Sequence, residues 1–452
     1  MTSLPLRLAS LGAAAMLLLA ASPSFAKDGQ GDTPKPKNDA PEKKHLLGDW
    51  AGLRTDLSDK GLDVTLDYRG EVGAVVAGAK RRGIDYAQQV ELKLDADWGK
   101  LAGAKGLSTH VVFINRAGRN ASTDFAGDNL FQIQEIYGGT HHAAIHLVEA
   151  YAQLKLAHGA LDVAAGRLPV GEDFATSPLY CDFMNTAICG YPHSLPAKVG
   201  FSAYPNSTWG ARARIAAGKH VYVQAGVYQV RPKFGGKYGF DWGFSGTTGI
   251  YLPAEVGWEP ELGAQALPGH YKAGFAYDTS NYDDKYLDAA GRPFAVSGAP
   301  PRRHDGRHSF YLLADQMIAR HGDGGENGLI LMGGYVHSAP STSQLSSFAF
   351  AGLVDQGPIP GRPDDSAGLV IAYAGVSDPL RATERLQSAR GLPLEGGAPG
   401  VQSHETILEA RYAIAAAPGV EVMPDVQYLI HPSAAHRYPN ALALGLRLSA
   451  NF

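Results

Sequence analysis

Charged side chains of both signs recur at alternate positions through several long stretches of this chain. Arg69 and Glu71 share one stretch, Glu91 and Lys93 the next. Glu149, the pair Arg212 and Arg214, and Arg411 sit in others. Such charges are costly in a packed core unless each is paired. Lining water, they are cheap. Sets that would point to catalysis or phosphate binding are missing. There is no G-x-x-x-x-G-K-[ST] loop and no G-x-S-x-G elbow. Asp364-Asp365 sits in a Pro/Gly turn and carries no acid/base argument. His141, His142 and His146 lack a carboxylate at a metal-site spacing and read as a surface loop. No metal or cofactor is expected.

The elements that must hold these charges are strands. Leu62, Val64, Leu66, Tyr68 and Val72 alternate with Asp63, Thr65, Asp67, Arg69 and Glu71. Val90, Leu92, Leu94, Ala96 and Trp98 alternate with Gln89, Glu91, Lys93, Asp95 and Asp97. The pattern returns around 148–156, 209–215, 405–414 and 420–428. It closes with Leu442, Leu444, Leu446, Leu448, Ala450 and Phe452. On a helix these charges would surround the surface; on a strand they share one face. Several runs reach the ~9–11 residues with which a tilted strand crosses a bilayer. Aromatic residues at their ends (Tyr68, Trp98, Trp209, Tyr277, Tyr412, Tyr428) resemble interfacial girdles. Ahead of the first strand, Trp50, Leu53 and Leu57 share a helical stripe, with Asp49 as N-cap and Gly61 past the end. A short helix over 49–60 is expected.

Composition agrees. The chain has 452 residues, 55 Gly, two Cys and a net charge of −4. A near-neutral balance with pI ≈ 6.5 argues against a nucleic-acid partner. Outside the first 26 residues there is no run of ~18 apolar residues to cross a bilayer as a helix. Arg7, the Leu/Ala-rich run Leu8 to Ala20 and Ser24-Phe25-Ala26 form a signal peptide with its cleavage site. Residues 27–45 are Lys/Pro-rich and read as a disordered lead-in. The rest, 46–452, reads as one β domain. Closure into a barrel satisfies every backbone group in lipid and gives an apolar outside and a watery inside. Strand counts of 14, 16 and 18 all fit the length. Gly/Pro-rich stretches at 231–268, 281–307, 355–366 and 376–403 read as loops. The aromatic run Phe234, Tyr238, Phe240, Trp242, Phe244, Tyr251 and Trp258 reads as loop packing or rim contact ahead of a stacking path.

Ordered motifs resemble one family. LLGDWAGLRTDLSDKGLDVTLDYRGEV (Leu46 to Val72) is similar to the opening segment of the carbohydrate-selective porin OprB family, with its G-D-W-x-G-x-R core. LKLDADWGKLAGAKGLSTHVVF resembles the next hairpin. AAGRLPVGEDFATSPLYCDFMNTAICGYP (Ala164 to Pro192) resembles its G-R…D-F-A-x-S…C…F-x-N…C-G segment. LPGHYKAGFAYDTSNYDD, GLVDQGPIPGRPDD and the last strand also fit. The resemblance covers about Leu46 to Phe452. It implies a 16-stranded antiparallel outer-membrane β-barrel through which small sugars diffuse passively into the periplasm.

A sugar presents hydroxyl donors and acceptors and a C–H ring face. The donor fork of Arg and the acceptors of carboxylates suit it. The family's narrow zone, lined by Arg and acidic residues and shaped by inward loops, points to Arg69, Glu71, Glu91, Lys93, Glu149, Arg167, Glu172, Asp173, Arg212, Arg214 and Arg411. Arg167 to Asp173 is the expected constriction. For any one of these, a wall charge paired across strands is an equally good account. In an oxidising periplasm, Cys181 and Cys189 are expected to form a disulfide. Expected partners are small carbohydrates and outer-membrane lipid and lipopolysaccharide, with monomer and homotrimer both open. The other readings are a general diffusion pore, a barrel enzyme and a secreted carbohydrate-binding β protein. An enzyme needs a Ser or Asp nucleophile aligned with His near one rim, and none assembles from facing positions.

Overall fold

Alternation along the chain becomes a closed wall. A computed structural model describes residues 45–127, 130–137, 143–195, 200–232, 238–322 and 327–452. The signal peptide, most of the lead-in, His141, His142 and Phe234 lie outside the described residues. Sixteen strands span the wall: β1 (Leu62–Ala77), β2 (Gly83–Asp97), β3 (Leu107–Gly118), β4 (Ala143–Leu156), β5 (Leu161–Leu168), β6 (Thr208–Ala216), β7 (Val221–Val230), β8 (Gly249–Trp258), β9 (Leu267–Asp288), β10 (Pro301–Arg320), β11 (Gly328–Ser338), β12 (Leu345–Gln356), β13 (Ser366–Val376), β14 (His404–Ala417), β15 (Val420–Ile430) and β16 (Ala441–Asn451). Each pairs antiparallel with the next. A two-residue extension, Glu261–Leu262, pairs with the start of β9. Closure comes from β1 against β16, from Asp67↔Asn451 to Ala77↔Leu442. No backbone edge along this seam faces lipid.

Side-chain parity follows the sequence. On β16, Leu444, Leu446 and Leu448 point outward and are 43%, 45% and 41% exposed, while Ala443 and Arg447 face inward and are buried. Register keeps these faces together, since directly paired residues share a side. Long connections lie at one rim and short turns at the other, as in bacterial outer-membrane barrels.

Three regions read as loops contain regular structure. Residues 231–268 include β8, whose Ile250, Leu252, Ala254, Val256 and Trp258 face outward while Tyr251 and Glu255 face inward. Pro253 and the glycines obscured this alternation. Residues 281–307 include the tops of β9 and β10, which run on as a tall hairpin tied by Asp283–Arg303. Residues 376–403 include an α-helix, Asp378–Ala389, with Pro at its first turn. The N-terminal helix also begins later than expected, at Leu53, after a tight turn through Ala51 (φ 58°). It ends at Lys60, before Gly61 (φ 99°). Asp49 still accepts the Thr55 N–H at 2.9 Å.

The lumen is not watery throughout. The described parts of two long connections, within 119–142 and 169–207, fold inward. Their Phe131, Ile133, Phe174, Phe183, Ile188 and Phe201 are almost wholly buried against Val336, Phe348, Phe350, Val370, Ala372 and Ile407 of the inner wall. Apolar side chains on these loops leave water just as core residues do, at roughly 25 cal/mol per Å². One side of the barrel is therefore filled.

β5 has only eight residues, so the upper part of β4 lacks a strand partner on that side. The chain patches this sector from elsewhere. Leu147 N–H donates to Tyr238 O at 3.0 Å. His146, expected in a surface loop, lies buried in β4 with Nε2 3.1 Å from Pro205 O. Gly239 is required beside this patch: it has φ 73°, and a Cβ there would stand 2.0 Å from Leu147 O. The adjoining aromatics lie against the outer wall. Trp209 stacks on Phe244 and donates from Nε1 to Trp242 O at 2.9 Å. This is rim packing. Tyr251 instead faces inward and is buried.

Candidate functional site

The inward connection 169–207 leaves β5 through a short helical turn, Val170–Asp173. The turn is fixed by its own return strand of chain: Val170 N–H reaches Ser202 Oγ at 3.0 Å and Gly171 N–H reaches Ser202 O at 2.9 Å. That places Glu172 and Asp173 inside the barrel. Arg212 on β6 donates from Nε to Asp173 Oδ1 at 2.8 Å and pairs with Asp162 at 2.7 Å. Glu172 is exposed to the lumen.

Opposite this turn stand β1 to β4. Lys93 Nζ lies 2.8 Å from Glu91 Oε1, and its side chain is 43% exposed. Tyr204, from the returning chain, donates its hydroxyl to Glu91 and accepts from Gln89 Nε2 at 2.7 Å. Glu91, Lys93, Glu172 and Asp173 all lie within electrostatic reach of Glu149, and Glu172 also lies within reach of Lys93, Asp173 and Glu91. Arg69 meets Glu135 of the other inward connection at 3.3 Å, and Arg116 approaches the same carboxylate at 3.4 Å. Tyr151 stacks on His110 along the same wall.

These loop carboxylates have shifted titrations. Enclosure by the barrel pushes Glu172 up, Lys93 pulls it down, and Asp173 and Glu91 raise it again, to about 7. Enclosure raises Asp173 despite Arg212. Glu135 is also enclosed, which opposes its charge, but Arg69 and Arg116 outweigh this and hold it below the usual range.

The remaining expected residues separate. Arg214 lies lower in the wall, paired with Glu259 at 3.1 Å and stacked over Tyr222. Glu71 is fully buried and accepts from Ile136 N–H at 3.2 Å, so it faces loop backbone instead of open water. Arg411 is buried behind the loop, 3.1 Å from Asp182 and over the Phe183 ring. Arg167 is a correction. It pairs in register with Trp209, on the outward face, is 2% exposed, and donates to Ser207 O at 2.7 Å. Asp162, Ala164, Gly166 and Leu168 are the inward residues of β5, and Arg167 has the opposite parity. Cys181 and Cys189 form a disulfide within the inward loop.

Sequence reading missed Glu135, Tyr204 and Glu255. Glu135 and Tyr204 lie in irregular segments with no period to read. Glu255 was hidden in a supposed loop.

A closed sixteen-stranded barrel with an apolar belt, a charged lumen and inward loops is a diffusion channel of the Gram-negative outer membrane. Residues 81–452 match the carbohydrate-selective porin, OprB family, and the chain belongs to that family. Porin B of Pseudomonas aeruginosa is 32% identical over 430 residues, 91% of this chain and 92% of that one. The putative porin QuiX of Acinetobacter baylyi is 26% identical over 91% of this chain and 94% of its own. The high-pH structure of Pseudomonas putida OprB superposes with a TM-score of 0.85 at 31% identity, covering 91% of this chain and 99% of that one.

Proposed function

We propose that this porin carries small neutral sugars, glucose-like monosaccharides and related polyols, along a path bounded by Arg69, Glu91, Lys93, Glu149, Glu172, Asp173 and Arg212. One observation supports this most. Lys93 lies 2.8 Å from Glu91 and within electrostatic reach of the lumen-facing Glu172, so a donor sits among acceptors on one stretch of the lumen. Mixed signs suit a neutral polyhydroxylated solute better than a phosphate-like anion. Tyr151, stacked on His110 on one side, stands beside the charges. In this reading the signal peptide is removed after Ala26 and residues 46–452 form the channel. Each barrel has its own path, so the reading is the same for a monomer and a homotrimer.

The test is single-channel recording in a planar bilayer, titrated with glucose and then with an acyclic polyol of similar size. Saturable block by glucose, weaker with the polyol and lost in Lys93→Ala, supports a sugar site. Equal, non-saturating effects of both solutes reduce the protein to a general diffusion pore.

A further inference from the structure

Four wall carboxylates stand outside the proposed sugar path. Glu71 on β1, Glu255 on β8 and Glu405 and Glu409 on β14 are 0%, 3%, 0% and 1% exposed. Among the described residues none forms an ion pair within 4 Å. Each instead accepts backbone N–H groups of an inward loop. Glu405 takes Leu130 N at 2.9 Å and Phe131 N at 3.0 Å, and Glu71 takes Ile136 N at 3.2 Å. Glu255 takes Ala175 N at 3.1 Å. Glu409 takes Met184 N at 2.6 Å and Asn185 N at 3.3 Å. Each inward loop is thus held at two points by carboxylates rooted in rigid strands.

We infer that Glu71, Glu255, Glu405 and Glu409 are positioning residues that set the width and selectivity of the channel, and that the disulfide is not. The geometry separates the two roles. Cys181 and Cys189 belong to the same loop, so their bond closes the loop on itself and ties it to nothing on the wall. Met184 and Asn185, between the two cysteines, are the atoms that Glu409 grips. A carboxylate presents acceptors only. At Glu405 both oxygens serve the loop, Oε2 taking Leu130 N–H and Oε1 taking Phe131 N–H, so an amide there turns its donors on one of them. At Glu409 and Glu255 an amide keeps one loop acceptor and loses the second oxygen, which Asn185 N–H shares at Glu409 and which Tyr222 and Gln224 use at Glu255. A buried N–H left without an acceptor is costly, and the loop escapes that cost by moving.

This inference deepens the sugar-channel reading and rests on it for selectivity, though not for width. Glu409→Gln, Glu255→Gln and Glu405→Gln are compared with a Cys181→Ser/Cys189→Ser variant in planar bilayers, after heat-modifiability shows a folded barrel. The three glutamine variants are expected to show noisier open states, raised conductance and no saturable glucose block. The cysteine-free variant is expected to keep wild-type conductance and block. Glu409→Asp, with both acceptor oxygens on a shorter arm, recovers part of the block. Wild-type conductance, noise and block in the folded glutamine variants overturn the inference. So does a cysteine-free channel altered as much as they are. If one variant does not fold, the others decide by the same readout. If wild type itself shows no glucose block while Glu409→Gln still widens the pore, the sugar reading fails and the positioning role stands.

Discussion

Arg212 on the wall and Asp173 on the inward turn are joined through Nε and Oδ1 at 2.8 Å, and the same guanidinium holds Asp162 at 2.7 Å. One cation thus fastens the loop to the barrel and neutralises two carboxylates. Arg212→Ala leaves both without their partner. Removing one member of an enclosed pair costs about 3–5 kcal/mol. The expected result is a lower heat-modification midpoint and a channel shifted toward cations, read as a reversal potential in a salt gradient. An unchanged reversal potential would show that neither carboxylate faces the ion path.

Titration of Glu172 predicts a pH-dependent selectivity. Its carboxyl is raised to about 7, so it is largely neutral well below pH 7 and charged well above. Cation preference should therefore rise from acid to alkaline pH across neutrality. Glu172→Gln should flatten that part of the profile. A wild-type profile with no change through neutrality contradicts it.

Lys93→Glu places a third carboxylate beside Glu91 and Glu172. Reversal potentials should move strongly toward cation selectivity, and the effect should weaken as salt shortens the screening length to ~3 Å near 1 M. Lys93→Met is the matched neutral control and should lie between.

The outward face can be tested by charge. Leu446, midway along β16, is 45% exposed on that face. Leu446→Arg should destabilise the barrel by ~2–4 kcal/mol in lipid. Arg447→Leu, one residue along, changes an inward residue that donates to Cys181 O at 2.8 Å. It should alter the channel and leave lipid insertion intact.

Loss of the disulfide should cost stability. Cys181→Ser/Cys189→Ser frees a short loop, and the chain-entropy account assigns such closure roughly 2–3 kcal/mol. A lower unfolding midpoint under reducing conditions, matched by the variant, checks this.

The wall was readable because a strand obeys a two-residue rule that any sequence displays. Leu444, Leu446 and Leu448 against Gly445, Arg447 and Ser449 assign β16 and its faces without any contact information. The same rule was available to correct Arg167, which lies an odd number of residues from Asp162. The family segment instead grouped it with Glu172. The inward loops were a different matter. Glu135 meets Arg69 across a separation of 66 residues, and Tyr204 meets Glu91 across 113. Such pairs depend on where irregular chain comes to rest, and no local period encodes that. Glu405 and Glu409 were legible as inward carboxylates. Their grip on Phe131 and Met184 was not.

The shortness of β5 has an outcome for how this architecture can be altered. Elsewhere a rim connection could be exchanged between relatives without touching the strands below it. Over β4 the connection carrying Tyr238 and Gly239 completes the wall itself. Cutting it away would leave Leu147 N–H on the open edge of β4 without its acceptor. That connection and β5 therefore depend on each other, and a graft that moved either alone would leave the upper edge of β4 less well covered.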